Sequence, residues 1–562
     1  MKPVKIITVF LLSTTMAFGA VADNTVNEKN SFTAQLLAAT DARDAENPVF
    51  GEALKAGKFE ALEMLGQIGG EACQRLVSYL RGENVQARMW AARGAAYCRD
   101  NALAPLLMEQ ILATDEKAQW AAAVGFSGGE GNKQALAALL NGDSPAGQIN
   151  AALFALVQSV AYDSTKAADI EGLDAQRLLK MVADGPASYA AAYVLARLQA
   201  VPDVVTVAAF EVVLADQLTQ LDELDATQLE AARLMTRLAR EYGDKSLPLL
   251  LAAYESNQVA IRREAIRSMG WLTDTTTKSI LLGLANGEGE AASRHLAVDG
   301  LGRRSANDPA LVGLLEQYVS DDDRWVATTA LRWLGQRDPV AANEVAASWL
   351  SGSDYYMAFQ ALIALTGSDE GKAILQTYAD ANPETVRGFE AAVALDPSLE
   401  AITKPRKTAS AALLASYRGR ELVLETTRGK VCISMTGDAP YAATSFLQLA
   451  DVGKMDGMLW HRVIPNFVSQ AGQIENKEIA NWGSIREEWG GEHRIGTVGV
   501  ATAGRDTGTT QFFINTGYNM HLDGRYTVFG RVTSSMDIVY ALEEGDVIVK
   551  ASTAKAPTAA CE

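Results

Sequence analysis

The stretch that decides the fold of the C-terminal part of this 562-residue chain is WHRVIPNFVSQAG, residues 460–472. Apolar residues dominate Leu459–Ile464 and Phe467–Ala471, which predicts two successive short strands. Further segments of the same character follow downstream, at Gly496–Ala501, Gln511–Asn515 and Thr527–Val532. This part of the chain is therefore predicted to consist mainly of short β-strands.

The segments just upstream extend this strand pattern. Apolar and polar residues alternate in part over Glu421–Glu425, Thr426–Lys430 can turn, and Val431–Met435 follows, which together predict a β-hairpin. Asp438-Ala439-Pro440 opens an amphipathic helix that continues to about Lys454. Many short strands with two helices within roughly 140 residues are typical of a closed β-barrel capped by helices.

Four motifs in this region resemble those of the cyclophilins and occur in the same order. They are WHRVIPNFVSQAG at 460–472, GTVGVATAG at 496–504, TQFFI at 510–514 and LDGRYTVFG at 522–530. The resemblance spans about Leu422–Val549 and implies a cyclophilin-like barrel with peptidyl-prolyl cis–trans isomerase activity. Such an enzyme requires no nucleophile, metal or cofactor, and none is predicted here.

The resemblance also assigns roles to individual side chains. Rotation about an X–Pro bond breaks amide conjugation, against a barrier of about 18–20 kcal/mol. Arg462 would be the catalytic residue, because its guanidinium can reach the prolyl nitrogen or the adjacent carbonyl of the twisted amide. Phe467 would line the proline slot, and Gln470 would bind substrate backbone and position Arg462. The implied substrate-binding residues are Ala501, Thr502, Gln511, Phe513, Leu522 and Tyr526.

Five positions depart from the family pattern, among them Val468 and Ala471, where Met and Gly are usual. Thr502 stands where the family commonly has Asn, Tyr526 replaces a common His, and His521 replaces a common Trp. Because that Trp supports cyclosporin binding in the family, we expect weak sensitivity to the drug. The implied catalytic set is intact, so activity is expected. The alternative is a non-catalytic scaffold whose barrel recognises proline-containing segments.

Residues 45 to about 400 carry a different pattern, an Ala-centred helix that recurs every 30 to 40 residues. The clearest copies, VAIRREAIRSMG at 259–270 and WVATTALRWLG at 325–335, have helical spacing and end in Gly. One helix pair cannot bury its own apolar face, so the repetition predicts an all-α solenoid, which resembles a HEAT-repeat array. The central alanines, here called anchors, are Ala61, Ala91, Ala121, Ala151, Ala191, Ala231, Ala265, Ala297, Ala330, Ala361 and Ala391.

Such an array is expected to bind a protein partner on its concave surface, with a rigid spacer as the alternative. The chain has a formal net charge of −18, but only 14 basic and 17 acidic residues follow from Ala411 onward, so the array is the acidic part. This excess disfavours nucleic acid and predicts a basic or polar partner. Five tryptophans are predicted to pack in the helical core: Trp90, Trp120, Trp271, Trp325 and Trp333.

The first 22 residues have the order of a secretory signal peptide. Lys2 and Lys5 precede the apolar run Ile6–Leu12, and small residues end in Ala20-Val21-Ala22. An uncleaved membrane anchor is the alternative, but a spanning helix needs about 20 apolar residues. We therefore expect an exported protein, periplasmic or secreted, with no membrane span after cleavage.

An exported protein can form disulfides, and the spacing of the four cysteines favours Cys73–Cys98 and Cys432–Cys561 over four buried thiols. With 48% hydrophobic and 21% charged residues, the chain is expected to fold rather than stay disordered. The predicted organisation is a signal peptide at 1–22, an N-terminal extension at 23–44, HEAT-like repeats at 45–400, a linker at 401–417, a cyclophilin-like barrel at 418–550 and a tail at 551–562. Its clients would be exported polypeptides that contain proline.

Overall fold

The structure, a computed structural model, describes residues 32–113, 116–125, 130–162, 170–183, 188–198, 201–288, 293–396, 399, 411–476, 482–488 and 491–555. The predicted signal peptide lies outside these residues. Within the described ranges, no helix combines the length and hydrophobicity needed to cross a membrane.

The N-terminal part of the chain, here called the array, is helical throughout its described residues. Its helices are α1 (Phe32–Asp41), α2 (Pro48–Lys55), α3 (Glu60–Ile68), α4 (Leu76–Leu80), α5 (Val85–Cys98), α6 (Ala104–Ile111), α7 (Glu116–Gly125), α8 (Glu130–Asn141), α9 (Ala146–Tyr162), α10 (Ala175–Ala183), α11 (Ser188–Leu195), α12 (Val201–Val204), α13 (Val207–Thr219), α14 (Ala226–Leu238), α15 (Leu247–Tyr254), α16 (Val259–Met269), α17 (Thr275–Ala285), α18 (Arg294–Arg304), α19 (Val312–Tyr318), α20 (Arg324–Arg337), α21 (Pro339–Leu350), α22 (Tyr355–Leu365), α23 (Asp369–Ala381) and α24 (Val386–Leu395).

These helices alternate between two layers. The inner helices pack on one another in succession, in the order α1, α3, α5, α7, α9, α11, α14, α16, α18, α20, α22 and α24. Outer helices such as α15, α17 and α21 each pack on the inner helix that follows. All the anchor alanines lie in inner helices and are buried. The predicted helical repeat is therefore present. The longer spacing around Ala191 corresponds to the 17-residue helix α9 and the extra short helix α12.

Small residues let the inner helices approach closely. A Cβ added at Gly66 in α3 would stand 2.2 Å from the carbonyl oxygen of Gly94 in α5. The predicted Cys73–Cys98 disulfide is present next to this contact, with a Cα–Cα distance of 5.9 Å. Cys561 lies outside the described residues, so its pairing with Cys432 stays a prediction.

The C-terminal part, here called the sheet domain, follows helix α25 (Ala411–Tyr417), the last helix of the predicted linker. Its strands are β1 (Arg420–Thr426), β2 (Gly429–Met435), β3 (Leu459–Ile464), β4 (Val468–Gln473), β5 (Thr497–Val500), β6 (Phe512–Asn515), β7 (Val528–Val532) and β8 (Ile548–Lys555), with helices α26 (Pro440–Asp451) and α27 (Met536–Ala541). All strand pairs are antiparallel, in the order β3-β4-β6-β5-β7-β2-β1-β8. The predicted hairpin is β1 and β2.

The sheet is a curled half-barrel rather than the predicted closed barrel. Its outer strands β3 and β8 share no ladder and meet at one bridge, between Leu459 and Val547. The contact is confined to the start of β3: the Trp460 N–H donates to the Asp546 carbonyl and the Gly545 N–H donates to the Trp460 carbonyl, and both partners precede β8. Helix α26 packs against β1, β7 and β8, and its Phe446 stacks on Phe529 within the curve.

Two predicted boundaries also differ. Helix α1, within the predicted extension at 23–44, packs on α3 and belongs to the array. Strand β8 continues to Lys555, so the predicted tail at 551–562 begins inside the sheet. Both errors have the same physical cause, since neither segment shows its packing partner in its own local sequence.

The inner layer of the array packs against the sheet domain along an interface here called the seam. The Tyr441 hydroxyl donates to Asp41 at 2.8 Å, near one end of the array. Arg324 donates to the carbonyl of Gly545 at 2.9 Å, closer to the other end. The seam continues through many such contacts, including Arg99–Glu487, Tyr189–Tyr518, Tyr356–Glu544 and Arg387–Glu475. The concave surface that the sequence analysis assigned to a partner therefore packs on the chain's own sheet domain.

The predicted core tryptophans have different environments. Trp333 is buried in the helical core as predicted, whereas Trp325 is buried in the apolar core of the sheet domain. Trp271 is 48% exposed, so its assignment to the core is wrong. The Trp271 ring lies between the guanidinium groups of Arg240 and Arg303, at 4.8 and 4.3 Å from its centre. Trp271 comes just after the end of α16, and the next inner helix contributes only the guanidinium of Arg303 that the structure shows against its ring. The side chain of Trp120 lies outside the described residues.

Candidate active site

Strands β3 and β4 place the predicted catalytic pair side by side. Arg462 is paired in register with Gln470, and its side chain is exposed. Its Nη1 donates a hydrogen bond to Gln470 Oε1 at 3.1 Å. The guanidinium carbon lies 5.8 Å from the centre of the Phe467 ring. A cation is therefore held beside an aromatic ring, at the rim of an apolar surface.

The strand is irregular next to Arg462. The pairing of β3 with β4 shifts register between Trp460 and Arg462, so His461 is left out of the ladder. Trp460 fills the sheet core, whereas the ring of His461 packs edge-on against Phe359 of α22, with centres 5.9 Å apart. His461 is buried against the array rather than in the core of the sheet domain. Burial lowers its pKa to about 4, so it is neutral near pH 7.

An apolar cluster lies beside Arg462. Phe513, Leu522 and Val468 are buried together, and the partly buried residues packed against them are Phe467, Ala501 and Tyr526. The Tyr526 ring stands edge-on to the Phe513 ring, with centres 6.0 Å apart. The structure thus brings the predicted pocket residues together from four separate segments. Val468 is an additional member that the sequence analysis did not include.

Residues behind the cluster hold Phe513 in place, and the sequence analysis missed them. His493 is fully buried and stacks on Phe513, with ring centres 5.5 Å apart. One ring nitrogen lies 3.2 Å from the Asn515 amide nitrogen, and the other lies 3.1 Å from the Tyr526 carbonyl oxygen. Burial lowers the pKa of His493 to about 4, so it is a neutral ring. A Cβ at Gly499 would stand 2.4 Å from the Phe513 ring, so glycine is required there.

The predicted backbone-binding residues lie at the edge of this cluster. Ala501 and Thr502 follow β5 and are partly exposed. The Ala501 N–H already donates to the Gln511 carbonyl at 3.0 Å. The carbonyl of Ala501 is therefore the group suited to accept from an extended peptide. The Gln511 side chain accepts from Gln470 Nε2 at 3.0 Å and so supports the catalytic pair.

One helix of the array contributes a ring beside the pocket. Tyr193 of α11 stacks on His521 with ring centres 5.1 Å apart, and His521 stacks on Phe467 at 5.6 Å. Burial and the positive charge of Arg197 lower the pKa of His521 to about 3. The small imidazole at position 521 leaves room for this array residue.

Arg462 contacts the apolar cluster through the ring of Phe467. Partial loss of water lowers its pKa, and Glu544 on the far side of the strand opposes this effect. Glu544 is itself held by the backbone N–H of Val463 and the hydroxyl of Tyr356. The arrangement can bind a small apolar ring and present a hydrogen-bond donor to a polar atom beside it.

A repeated position in the array could have revealed its contacts with the sheet domain. The residue just before an anchor alanine reaches the seam in four repeats, where it is Glu230, Glu264, Gln360 or Glu390. Consecutive helical residues point about 100° apart, so this position faces inward when the anchor faces a neighbouring helix. A polar residue recurring there is the signal that the sequence analysis did not use.

Comparison with known proteins matches the sheet domain. Residues 422–561 match the family model described as cyclophilin type peptidyl-prolyl cis-trans isomerase/CLD. Peptidyl-prolyl cis-trans isomerase B of Bacillus subtilis is 41% identical over 114 residues, which are 20% of this chain and 80% of that protein. A peptidyl-prolyl cis-trans isomerase of Synechococcus elongatus is 37% identical over 137 residues, covering 23% of this chain and 92% of its own. A crystal structure of a Cryptosporidium parvum cyclophilin type isomerase covers 25% of this chain and 99% of its own, at 20% identity and a TM-score of 0.22.

Proposed function

This chain belongs to the cyclophilin-type peptidyl-prolyl cis-trans isomerases, and we propose that it accelerates X–Pro rotation in exported client proteins. The reaction would take place at the apolar cluster beside Arg462. The hydrogen-bonded pair of Arg462 and Gln470 at the rim of this cluster is the observation that carries the proposal.

Each part of the site has a physical task in this reaction. The proline ring enters the apolar cluster of Phe467, Phe513 and Leu522. Twisting the amide breaks conjugation and returns the lone pair to the prolyl nitrogen, which then accepts a hydrogen bond from Arg462. This bond is stronger in the twisted state than in the planar one, so it lowers the barrier. Gln470 keeps the guanidinium in place.

Replacing Arg462 by Ala tests the assignment. We expect kcat/KM for an X–Pro peptide to fall by about 10²–10³-fold, the usual loss when one transition-state donor is removed. The measurement is the cis-to-trans relaxation rate of the peptide with full-length protein. Arg418→Ala, at an exposed arginine just before β1, is the matched control and should keep full activity. Unchanged catalysis by Arg462→Ala would falsify the assignment.

A non-catalytic scaffold is the second candidate, favoured only by the contacts between array and pocket. In that case peptides would bind to the wild type and to Arg462→Ala with the same dissociation constant. Neither of the two proteins would accelerate the cis-to-trans relaxation of the peptide. Measuring binding and relaxation on the same samples separates the two functions.

Export is proposed from the N-terminal pattern of Lys2 and Lys5, the run Ile6–Leu12 and the small residues before Asp23. Expression of the full chain in a bacterial host, followed by fractionation and mass spectrometry, tests it. We expect mature protein outside the cytoplasm with an N-terminus at Asp23. Protein retained in the cytoplasm with residues 1–22 intact would count against export.

We further propose that the array, as a HEAT-like scaffold, docks part of the client beside the pocket. Support comes from the exposed Trp271 between Arg240 and Arg303, and from Arg237 nearby. Burial lowers the pKa of Arg237 to about 10, with Arg267, Arg240 and Arg233 adding to the fall and Glu264 opposing it. Although the array as a whole is acidic, this local surface suits an acidic client segment.

The double variant Arg240→Gln/Arg303→Gln tests this docking. We expect it to weaken binding of a peptide with Asp or Glu near proline, but not of a neutral peptide of equal length. Added salt should likewise weaken binding of the acidic peptide, but not of the neutral one. Equal losses for both peptides would mean that the variant has disturbed the pocket instead.

A further inference from the structure

A line of side-chain hydrogen bonds runs from the catalytic arginine into the array. Arg462 donates to Gln470, Gln470 Nε2 donates to Gln511 Oε1 at 3.0 Å, and Gln511 Nε2 donates to Gln473 Oε1 at 3.0 Å. The line ends in α24, where Gln473 Nε2 donates to Glu390 Oε1 at 2.7 Å. Three glutamine amides therefore connect an arginine on the sheet domain with a carboxylate on the array.

The chemistry of the two ends determines how the amides are oriented. An arginine can only donate hydrogen bonds, and an ionised carboxylate can only accept them. Between these ends, every amide must turn its oxygen toward Arg462 and its NH2 group toward Glu390 for all bonds to form. A single flipped glutamine would place two oxygens or two NH2 groups face to face. The orientation thus follows from the donor and acceptor inventory rather than from any one assigned amide.

The array fixes the far end of this line firmly. The NH2 group of Gln473 also donates to the Tyr355 hydroxyl at 2.9 Å, and that hydroxyl donates to Glu390 Oε1 at 2.6 Å. Both hydrogens of Gln473 are therefore engaged by α22 and α24. The other oxygen, Glu390 Oε2, is buried and has no hydrogen-bond partner among the described residues.

We propose that Glu390 is a positioning residue for the isomerase: through Gln473 and Gln511 it keeps the oxygen of Gln470 turned toward Arg462. The inference rests on the proposed role of Arg462 and extends it to the array. In this view the array completes the active site rather than only carrying it. A neutral amide at position 390 could both donate and accept, so the line could reverse and turn the Gln470 NH2 group toward Arg462.

Protonation of Glu390 should also allow the line of amides to reverse, as a neutral amide at position 390 would. Burial raises its pKa to about 7, with Glu475 adding to the rise and Tyr355, Gln473 and Arg387 opposing it. Tyr355 of α22, Arg387 of α24 and Glu475 after β4 are the charged and titratable groups among these, and Gln473 contributes a hydrogen bond. Above about pH 7 the ionised carboxylate of Glu390 can only accept, so it enforces the orientation of the glutamine amides. Below about pH 7 the protonated acid can also donate, so the orientation is no longer enforced. The site histidines do not titrate near pH 7, because burial lowers the pKa of His461 and His493 to about 4.

The main test is Glu390→Gln in the full chain. We expect kcat to fall by about threefold to tenfold at pH 8, with little change in KM, because peptide contacts are intact and one positioned hydrogen bond is weakened. The wild type should lose activity between pH 8 and pH 6, and the variant should show a flat profile. Thermal unfolding of both proteins checks that the fold is retained.

Glu475→Gln is the matched control, because it removes the same charge from the same cluster without touching the amide line. Glu475 raises the pKa of Glu390, so this variant should keep full activity at pH 8 and shift the midpoint of the profile to lower pH. Loss of activity at pH 8 in Glu475→Gln would mean that local charge, not amide orientation, matters, and would overturn the proposal.

A double-mutant cycle distinguishes orientation from general damage. Gln473→Met breaks the line, so adding Glu390→Gln to it should have no further effect. Additive losses would overturn the proposal. If Arg462→Ala is inactive while Glu390→Gln behaves as the wild type at every pH, the isomerase assignment stands and the positioning role is wrong. If Arg462→Ala is fully active, the failure lies in the proposed function instead.

Discussion

The array and the sheet domain use their residues differently. In the array, the anchor position is Ala in every repeat and is buried between helices, so it determines how neighbouring repeats stack. The position before it varies, and where it reaches the seam it is Glu or Gln, as at Glu264 and Glu390. In the sheet domain each site residue, such as Arg462, occurs once. In this chain, the residue that recurs in every repeat therefore builds the scaffold. The residues that do not recur make the contacts with the seam and the site.

The largest effect on stability is expected at the seam between the two parts, from replacing Glu264 of α16. Its carboxylate is 1% exposed, lies 3.0 Å from Arg233 and accepts from Asn466 of the sheet domain at 3.3 Å. In Glu264→Gln the buried Arg233 keeps Glu230 as an ion-pair partner but loses its second carboxylate, so we expect a loss of about 3 kcal/mol in the free energy of unfolding, the lower end for breaking a buried pair. Chemical denaturation at pH 7 measures it, with the exposed Glu316→Gln as the control.

The same residue predicts how stability responds to acid. Burial alone would raise the pKa of Glu264, but Arg267, Arg233 and Arg237 together lower it. A pKa lower in the folded than in the unfolded state adds stability above the unfolded value, which is lost as pH falls through the folded value. Wild type and Glu264→Gln should therefore converge in stability on acidification. A difference that stays constant down to low pH would contradict the ion-pair explanation.

A smaller effect is expected from breaking the stacking of the repeats. Gly66→Ala would push a methyl group into the backbone of α5, and we expect it to cost about 1–3 kcal/mol. Gly51→Ala in α2 is the matched control, since nothing lies within 4 Å of its added Cβ. Removing a helical glycine there should stabilise the protein by about 0.5–1 kcal/mol. Equal thermal shifts in the two variants would show that helix propensity, rather than close approach, governs these positions.

The smallest effect is expected where array and pocket share a ring stack. His521→Trp restores the residue that is common in the family, but the larger ring would overlap Tyr193. We expect a loss of roughly 1 kcal/mol in unfolding free energy and no gain in cyclosporin affinity, because Tyr193 occupies that face. Calorimetric titration checks the affinity. Tight cyclosporin binding by His521→Trp would show instead that residue 521 alone decides sensitivity.

Sequence reasoning succeeded where the signal was local or repeated. The anchor alanines predicted the inner helices, and the alternation around Val423 predicted the first hairpin. It failed at Trp271, which was assigned to the core because it ends a repeat helix. It also missed His493 and Gly499, whose roles depend on Phe513 from another strand. Barrel closure was overestimated, because strand count alone does not determine whether β3 and β8 pair.

By itself, the sequence determined the helical repeat and the order of the strand motifs, and its resemblance to the cyclophilins predicted the residues that the apolar cluster brings together. These follow from periodicity within a helix or strand and from motifs whose members are close in the chain. Only the tertiary structure decided that the array packs around the sheet domain and brings Tyr193 and Glu390 to the site. Such contacts join residues far apart in sequence, and a single polar side chain on a helix carries no mark of the distant partner that it will meet.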